Sequence, residues 1–471
     1  MDYSENNFGN NNDFREEENL RERIENCRKA IADGLIFGYT ESIDEVIHLC
    51  MEYDYTEDGL FLVNSLLEVT PYDSELWQLR GSFLNNSFEF EEAYFSFNKA
   101  LSLNPNDIET LINKALAEEN LNLISDAKLT LGQVLQLDPA NEEAWFSMGV
   151  LYQKEDKYPE AIENFNKAVA LDESYSEVYY ELGYCYESLN DFQNALRAYD
   201  KYLEIEPYSV TGWYNRGIIY IRMEKFEEAA DSFDLAIALK EDFSNAWFNK
   251  GIAQANLTRL SEALISFKKA AEFDKFDEDI YFNLGQIYEE LEEIPQAIEY
   301  YTEAIKLNPL YTDALLSRGF CYEDLEDYKL ALNDFKVVVK LDMNSTEAWI
   351  AKADMEYLLG DHQASRDSYK RAIELDPNDH DAWKKFADLS LENGDWAEGI
   401  KAYNECIKLN PQDANSYYGK AKVNFILSKT QEAIECLRSA FSLDPSMKSE
   451  FAKEYPEIKS SKLFNKLLGE N

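Results

Sequence analysis

Residues 142–175, EEAWFSMGVLYQKEDKYPEAIENFNKAVALDESY, form a 34-residue stretch whose apolar positions decide the fold. Trp145, Met148, Gly149 and Tyr152 share one face at helical spacing, and Ala161, Ile162, Phe165 and Ala168 share another. The polar segment Lys154–Tyr158 separates them. Two short helices joined by a turn are therefore expected. The small residues Gly149, Ala161 and Ala168 leave room for a neighbouring helix to come close, and neither helix can bury its face alone, so the unit is built to be stacked.

The pattern recurs every 34 residues in both directions. The Trp145 position reads Trp77, Leu111, Trp145, Tyr179, Trp213, Trp247, Tyr281, Leu315, Trp349, Trp383 and Tyr417. Over the same units the Gly149 position holds only Gly or Ala, from Gly81 to Ala421. Pro71, Pro105, Pro139, Pro207, Pro309, Pro377, Pro411 and Pro445 share a phase at the end of the unit, where each can stop one helix before the next begins. Pro159 and Pro295 share a second phase at the start of the second helix, where a missing N–H costs nothing.

This pattern resembles the tetratricopeptide repeat (TPR) family: an aromatic, then Leu-Gly and Tyr in a first helix, then Ala, Phe, Ala and Pro in and after a second. The resemblance covers residues 40–447 as twelve 34-residue units, the first degenerate, with Ile43 and Ile47 in place of the aromatic and the Gly. It implies an all-α fold, a right-handed superhelical alpha-alpha solenoid of helix-turn-helix repeats. A helix over residues 14–39, with Leu20, Ile24, Cys27 and Ile31 on one stripe, is expected to cap the open end of the stack. Residues 1–13, Asn-rich and acidic, are expected to form a disordered tail without signal-peptide character. Residues 448–471, with Phe451, Tyr455, Leu463, Phe464 and Leu467 in two small apolar clusters, are expected to form a C-terminal capping helix or tail.

Composition narrows the function classes. A formal net charge of −46 argues against nucleic acid or an anionic membrane as the main partner, because both require basic surface. It favours basic partners, and it also serves solubility. Cys27, Cys50, Cys185, Cys321, Cys406 and Cys436 show no CxxC spacing and read as core fillers in a reducing compartment. His48, His362 and His380 are far apart in sequence, and nothing calls for a metal or a cofactor. No apolar run is long enough to span a membrane, so a cytoplasmic protein is expected.

The family resemblance implies that the first helices line an inner, concave wall, faced by the residue after the Trp position and by the residue four further on. Phe146, Tyr180, Tyr214, Phe248 and Phe282 then form an aromatic ladder, with Tyr184 and Phe320 beside it. Asn215, Asn249 and Asn283 make a parallel row of amides able to hold the backbone of an extended peptide. Acids recur along the same helices, among them Glu143, Glu187, Glu289 and Glu323. The concave positions are mostly aromatic, aliphatic, amide or acidic, with Lys at Lys384 and Lys422, so a grip on a C-terminal carboxylate by Lys and Arg is not expected. No nucleophile–base pair or phosphate-binding Gly loop is present, so no enzyme is expected.

Two functions from different classes follow. In one, the chain is a non-enzymatic scaffold that binds a peptide segment or partner protein along the groove, favouring basic or apolar segments. In the other it self-associates, as a homo-oligomer or a structural subunit of a larger assembly, or regulates a separate enzyme, and the aromatic ladder is interface or packing.

Overall fold

The computed structural model describes residues 10–456, with side chains from residue 19 onward. Among the described residues there are 26 α-helices, one short 3₁₀ turn and no strand. The 34-residue period of the sequence is the period of the helices. First helices start at Thr40, Ser74, Ile108, Glu142, Ser176 and Val210, then at Ser244, Glu278, Thr312, Thr346, His380 and Ala414. Second helices start sixteen residues later in every repeat, from Thr56 to Thr430.

The chain divides into two compact units, Met1–Leu239 and Lys240–Asn471. In each, the two helices of one repeat pack on each other, and successive repeats pack in order. Within the first unit the helix Asn10–Ala32 lies on the first repeat: Leu20, Ile24 and Cys27 are buried in one cluster with Ile43, Ile47 and Leu62, and Ile31 is partly buried against it. In the second unit the helix Met447–Glu454 inserts Phe451 against Tyr418, Phe441 and Tyr455. Residues 1–9 of the expected N-terminal tail, and Leu463, Phe464 and Leu467, lie outside the described residues.

Local chemistry explains each repeat. Ala161, Phe165 and Ala168 are fully buried, as the quoted stretch requires. A Cβ added to Gly149 would stand 2.5 Å from the Phe165 ring, so the position holds a residue with almost no side chain because an aromatic from the second helix crosses it. Asp73, Asp107, Asn141, Ser209, Asp277, Ser345, Asp379 and Asp413 cap first helices through their side chains. Pro159 and Pro295 sit in the first turn of second helices. All six cysteines are buried, and burial pushes Cys185, Cys321 and Cys406 up to about 12.

The Trp position does more than fill space. The indole N–H of Trp77, Trp145, Trp213 and Trp383 donates to the carbonyl of the proline six residues earlier, at 2.9–3.1 Å. Trp247 and Trp349 make the same bond to Glu241 and Met343. Each indole thereby fixes the turn by which its repeat is entered.

Candidate peptide-binding groove

The ladder residues are carried on the first helices at the positions expected, and all are half-buried. In the first unit Phe146 packs on Phe165 (ring centroids 5.7 Å apart) and Tyr175 (5.1 Å), and Tyr180 on Tyr199 (6.0 Å) and Tyr202 (5.3 Å). Tyr214 packs on Phe233 at 5.8 Å. In the second unit Phe248 packs on Phe267, Phe282 on Tyr301 and Tyr311, and Phe320 on Phe335. Every ring of the ladder thus leans on the buried aromatic of its own repeat's second helix. Tyr184 is the exception in exposure, 44% open and edge-on to Tyr158. The first-helix face of each unit is therefore a row of half-buried rings. Tilted and edge-to-face contacts of this kind favour packing within the repeat.

The amide row differs more. Asn249 and Asn283 donate to the carbonyls of Asn245 and Asp279, four residues back in their own helices, at 2.8 Å. Asn215 reaches the neighbouring repeat and donates to the Tyr180 hydroxyl at 3.1 Å. Each of these bonds uses one of the two N–H groups of its amide.

Carboxylates flank the rings, and burial acts on them. Glu143, Glu187, Glu323 and Asp388 are all pushed up from the ordinary carboxylate range, with desolvation the main cause. Some groove acids already hold partners: Glu119 pairs with Lys154 at 2.6 Å and Asp354 with Lys385 at 2.9 Å. In the second unit Glu323, Glu347, Asp354, Asp376 and Asp379 line an open cleft together with Phe320, Ile350 and Lys385.

A set of groove residues was not singled out from sequence. The buried aromatic of the second helix is Tyr at Tyr199, Tyr301, Tyr369 and Tyr403, and Phe at Phe97, Phe165, Phe233, Phe267 and Phe335. The Tyr301 hydroxyl donates to Glu289 at 2.6 Å, that of Tyr369 to Asp354, and that of Tyr403 to Asp388 at 2.6 Å. The signal was present: each of these tyrosines has an acid twelve or fifteen residues before it. Among the described residues no group of three or more His, Cys, Asp or Glu has the arrangement of a metal site.

Family models described as tetratricopeptide repeat match residues 74–107, 142–175, 176–209, 210–243, 278–311, 346–379, 368–401 and 414–447, more than half of the chain. The chain belongs to the tetratricopeptide repeat family. Almost all of these matches fall in the same phase as the helix pairs. As a TPR protein it is a protein-interaction scaffold, of a family that is in general non-enzymatic. No curated protein matches the chain.

Among solved structures, MamA is 25% identical, with 35% of this chain and 97% of that one covered and a TM-score of 0.34. The C-terminal part of a TPR repeat-containing protein from Cytophaga hutchinsonii is 18% identical, with 51% and 98% covered and a TM-score of 0.46. The APC/C hetero-tetramer Cut9–Hcn1 is 14% identical, with 93% and 98% covered and a TM-score of 0.36. At such TM-scores these likenesses carry nothing about what this TPR chain binds. Among the described residues no helix is long and apolar enough to cross a membrane.

Proposed function

We propose that this TPR protein binds segments of protein partners along the first-helix faces of its repeats, and that it favours segments mixing basic and apolar residues. The observation that carries this reading is the occurrence on those faces of half-buried rings together with carboxylates, repeated over successive repeats within each unit. The half-buried rings offer apolar contact. The carboxylates offer charge complementarity to Lys and Arg, and a net charge of −46 steers such a partner in.

The test replaces rings without emptying the space beneath them. A variant carrying Tyr180→Leu, Tyr214→Leu, Phe248→Leu and Phe282→Leu should keep its helical circular dichroism and lose the proteins that the intact chain captures from native lysate. Retention of the same proteins by the folded variant would remove the groove from the account.

A further inference from the structure

The Tyr199 hydroxyl differs from its counterparts. Its side chain is fully buried, yet the hydroxyl has no hydrogen-bond partner, whereas those of Tyr301, Tyr369 and Tyr403 each donate to a groove carboxylate. A buried hydroxyl left unpaired is costly and calls for a reason. The ring lies across Gly183 and edge-on to Tyr180. Burial first, then the neighbouring Glu187, Tyr180 and Glu181, hold this phenol above its ordinary range, and the Asn215 amide pulls the other way.

The second unit contains a related place that is complete, with its carboxylate, Asp354, at the repeat position that Tyr184 holds here. Five repeats on, Tyr369 stands at the Tyr199 position and Lys385 at the Asn215 position. The Tyr369 hydroxyl donates to one oxygen of Asp354, and the Lys385 ammonium donates to the other at 2.9 Å. Phenol, carboxylate and ammonium form one chain of bonds between neighbouring repeats. At Tyr199 the phenol is present, and Glu187 supplies a half-buried carboxylate, the counterpart of the Glu289 that accepts from Tyr301. The ammonium position is taken by a neutral amide, whose bond to Tyr180 is an uncharged one of 3.1 Å. Of the other charged groups nearby, Glu181 already accepts from Gln153 at 2.7 Å, and Arg222 acts on Glu187 from the last turn of its helix.

We infer that Tyr199, Glu187, Tyr180 and Asn215 form a seat for the ammonium group of a lysine side chain presented by a protein partner. This rests on the groove reading above and narrows it to one residue type at one place. The ammonium donates to Glu187 and to the phenol oxygens, replacing the neutral Asn215–Tyr180 contact with charge-assisted bonds. The exposed ring of Tyr184 on the same helix adds a cation-binding face. Within the second unit an ammonium already bonds a phenol directly, Lys268 to Tyr288 at 2.8 Å.

The experiment uses the full chain, with hexalysine as the probe and hexa(Nε-acetyl-lysine) as its uncharged control, titrated calorimetrically. The intact chain should bind hexalysine and not the acetylated peptide. Tyr199→Phe should weaken hexalysine binding about tenfold, the worth of a hydrogen bond to a charged group, without lowering the melting temperature. Asn215→Lys supplies the missing ammonium from the chain itself. It should raise the melting temperature and weaken hexalysine binding at least as much. No binding to the intact chain, or equal binding of the acetylated peptide, overturns the seat. So does an affinity unchanged in both folded variants. If binding is then still lost on Phe146→Leu with Tyr214→Leu, the groove reading survives without the seat. If those changes also leave it untouched, both readings fall.

Discussion

At the residue scale, the turn inside each repeat is built around one left-handed position. It recurs every 34 residues: Asp54, Phe88, Asn122, Asp156, Asn190, Glu224, Thr258, Glu292, Glu326, Gly360, Gly394 and Ser428 all have positive φ. Glycine fills it twice and asparagine twice, whereas Thr258, β-branched at φ 58°, is the residue least suited to it. Thr258→Gly should therefore stabilise the protein by about 1 kcal/mol, read as a higher urea midpoint at unchanged slope. An unchanged midpoint would show that the strain is relieved elsewhere. Left-handed backbone is legible in the sequence only where Asn or Gly stands, as at Asn190 and Gly360, because Glu, Phe and Thr carry no signature of it. The indoles were legible as apolar positions, but their N–H bonds to the preceding turn were not, since periodicity counts hydrophobic faces and ignores donors.

At the scale of the helix pair, the repeats are joined by polar contacts that hydrophobic patterning does not register. In the second unit Arg318 forks onto both oxygens of Asp334 at 2.8 Å and also donates to Thr302 of the preceding repeat at 3.0 Å. Asp334 is almost wholly buried. Asp334→Ala leaves a guanidinium without its counter-ion and should cost roughly 3–5 kcal/mol in chemical denaturation. The double change Arg318→Leu with Asp334→Leu should recover most of that loss. A single variant as stable as the parent would show that water replaces the carboxylate. Helix positions were legible because Gly, Ala, Phe and Pro recur in fixed phase. The half-burial of the ladder was not, because Phe146 and the Phe165 beneath it are nineteen residues apart and lie on faces that the sequence reading treated separately.

At the scale of the whole molecule, each unit carries half-buried rings together with carboxylates, and the chain's 91 acidic against 45 basic residues put an attractive field for cations around both. Association with a basic partner should accordingly slow as salt shortens the reach of that field to about 8 Å at physiological ionic strength. The central claim is that partners lie against the first-helix faces, and site-specific photo-crosslinking tests it most directly. p-Benzoylphenylalanine would be placed at Tyr184, exposed on a first helix, or at Leu129, 69% exposed on a second helix. Lysate irradiated with each protein would be compared by mass spectrometry. The account predicts a defined crosslinked partner from position 184, suppressed by added salt, and none from position 129. The same partner crosslinked from position 129 and absent from 184 would contradict it.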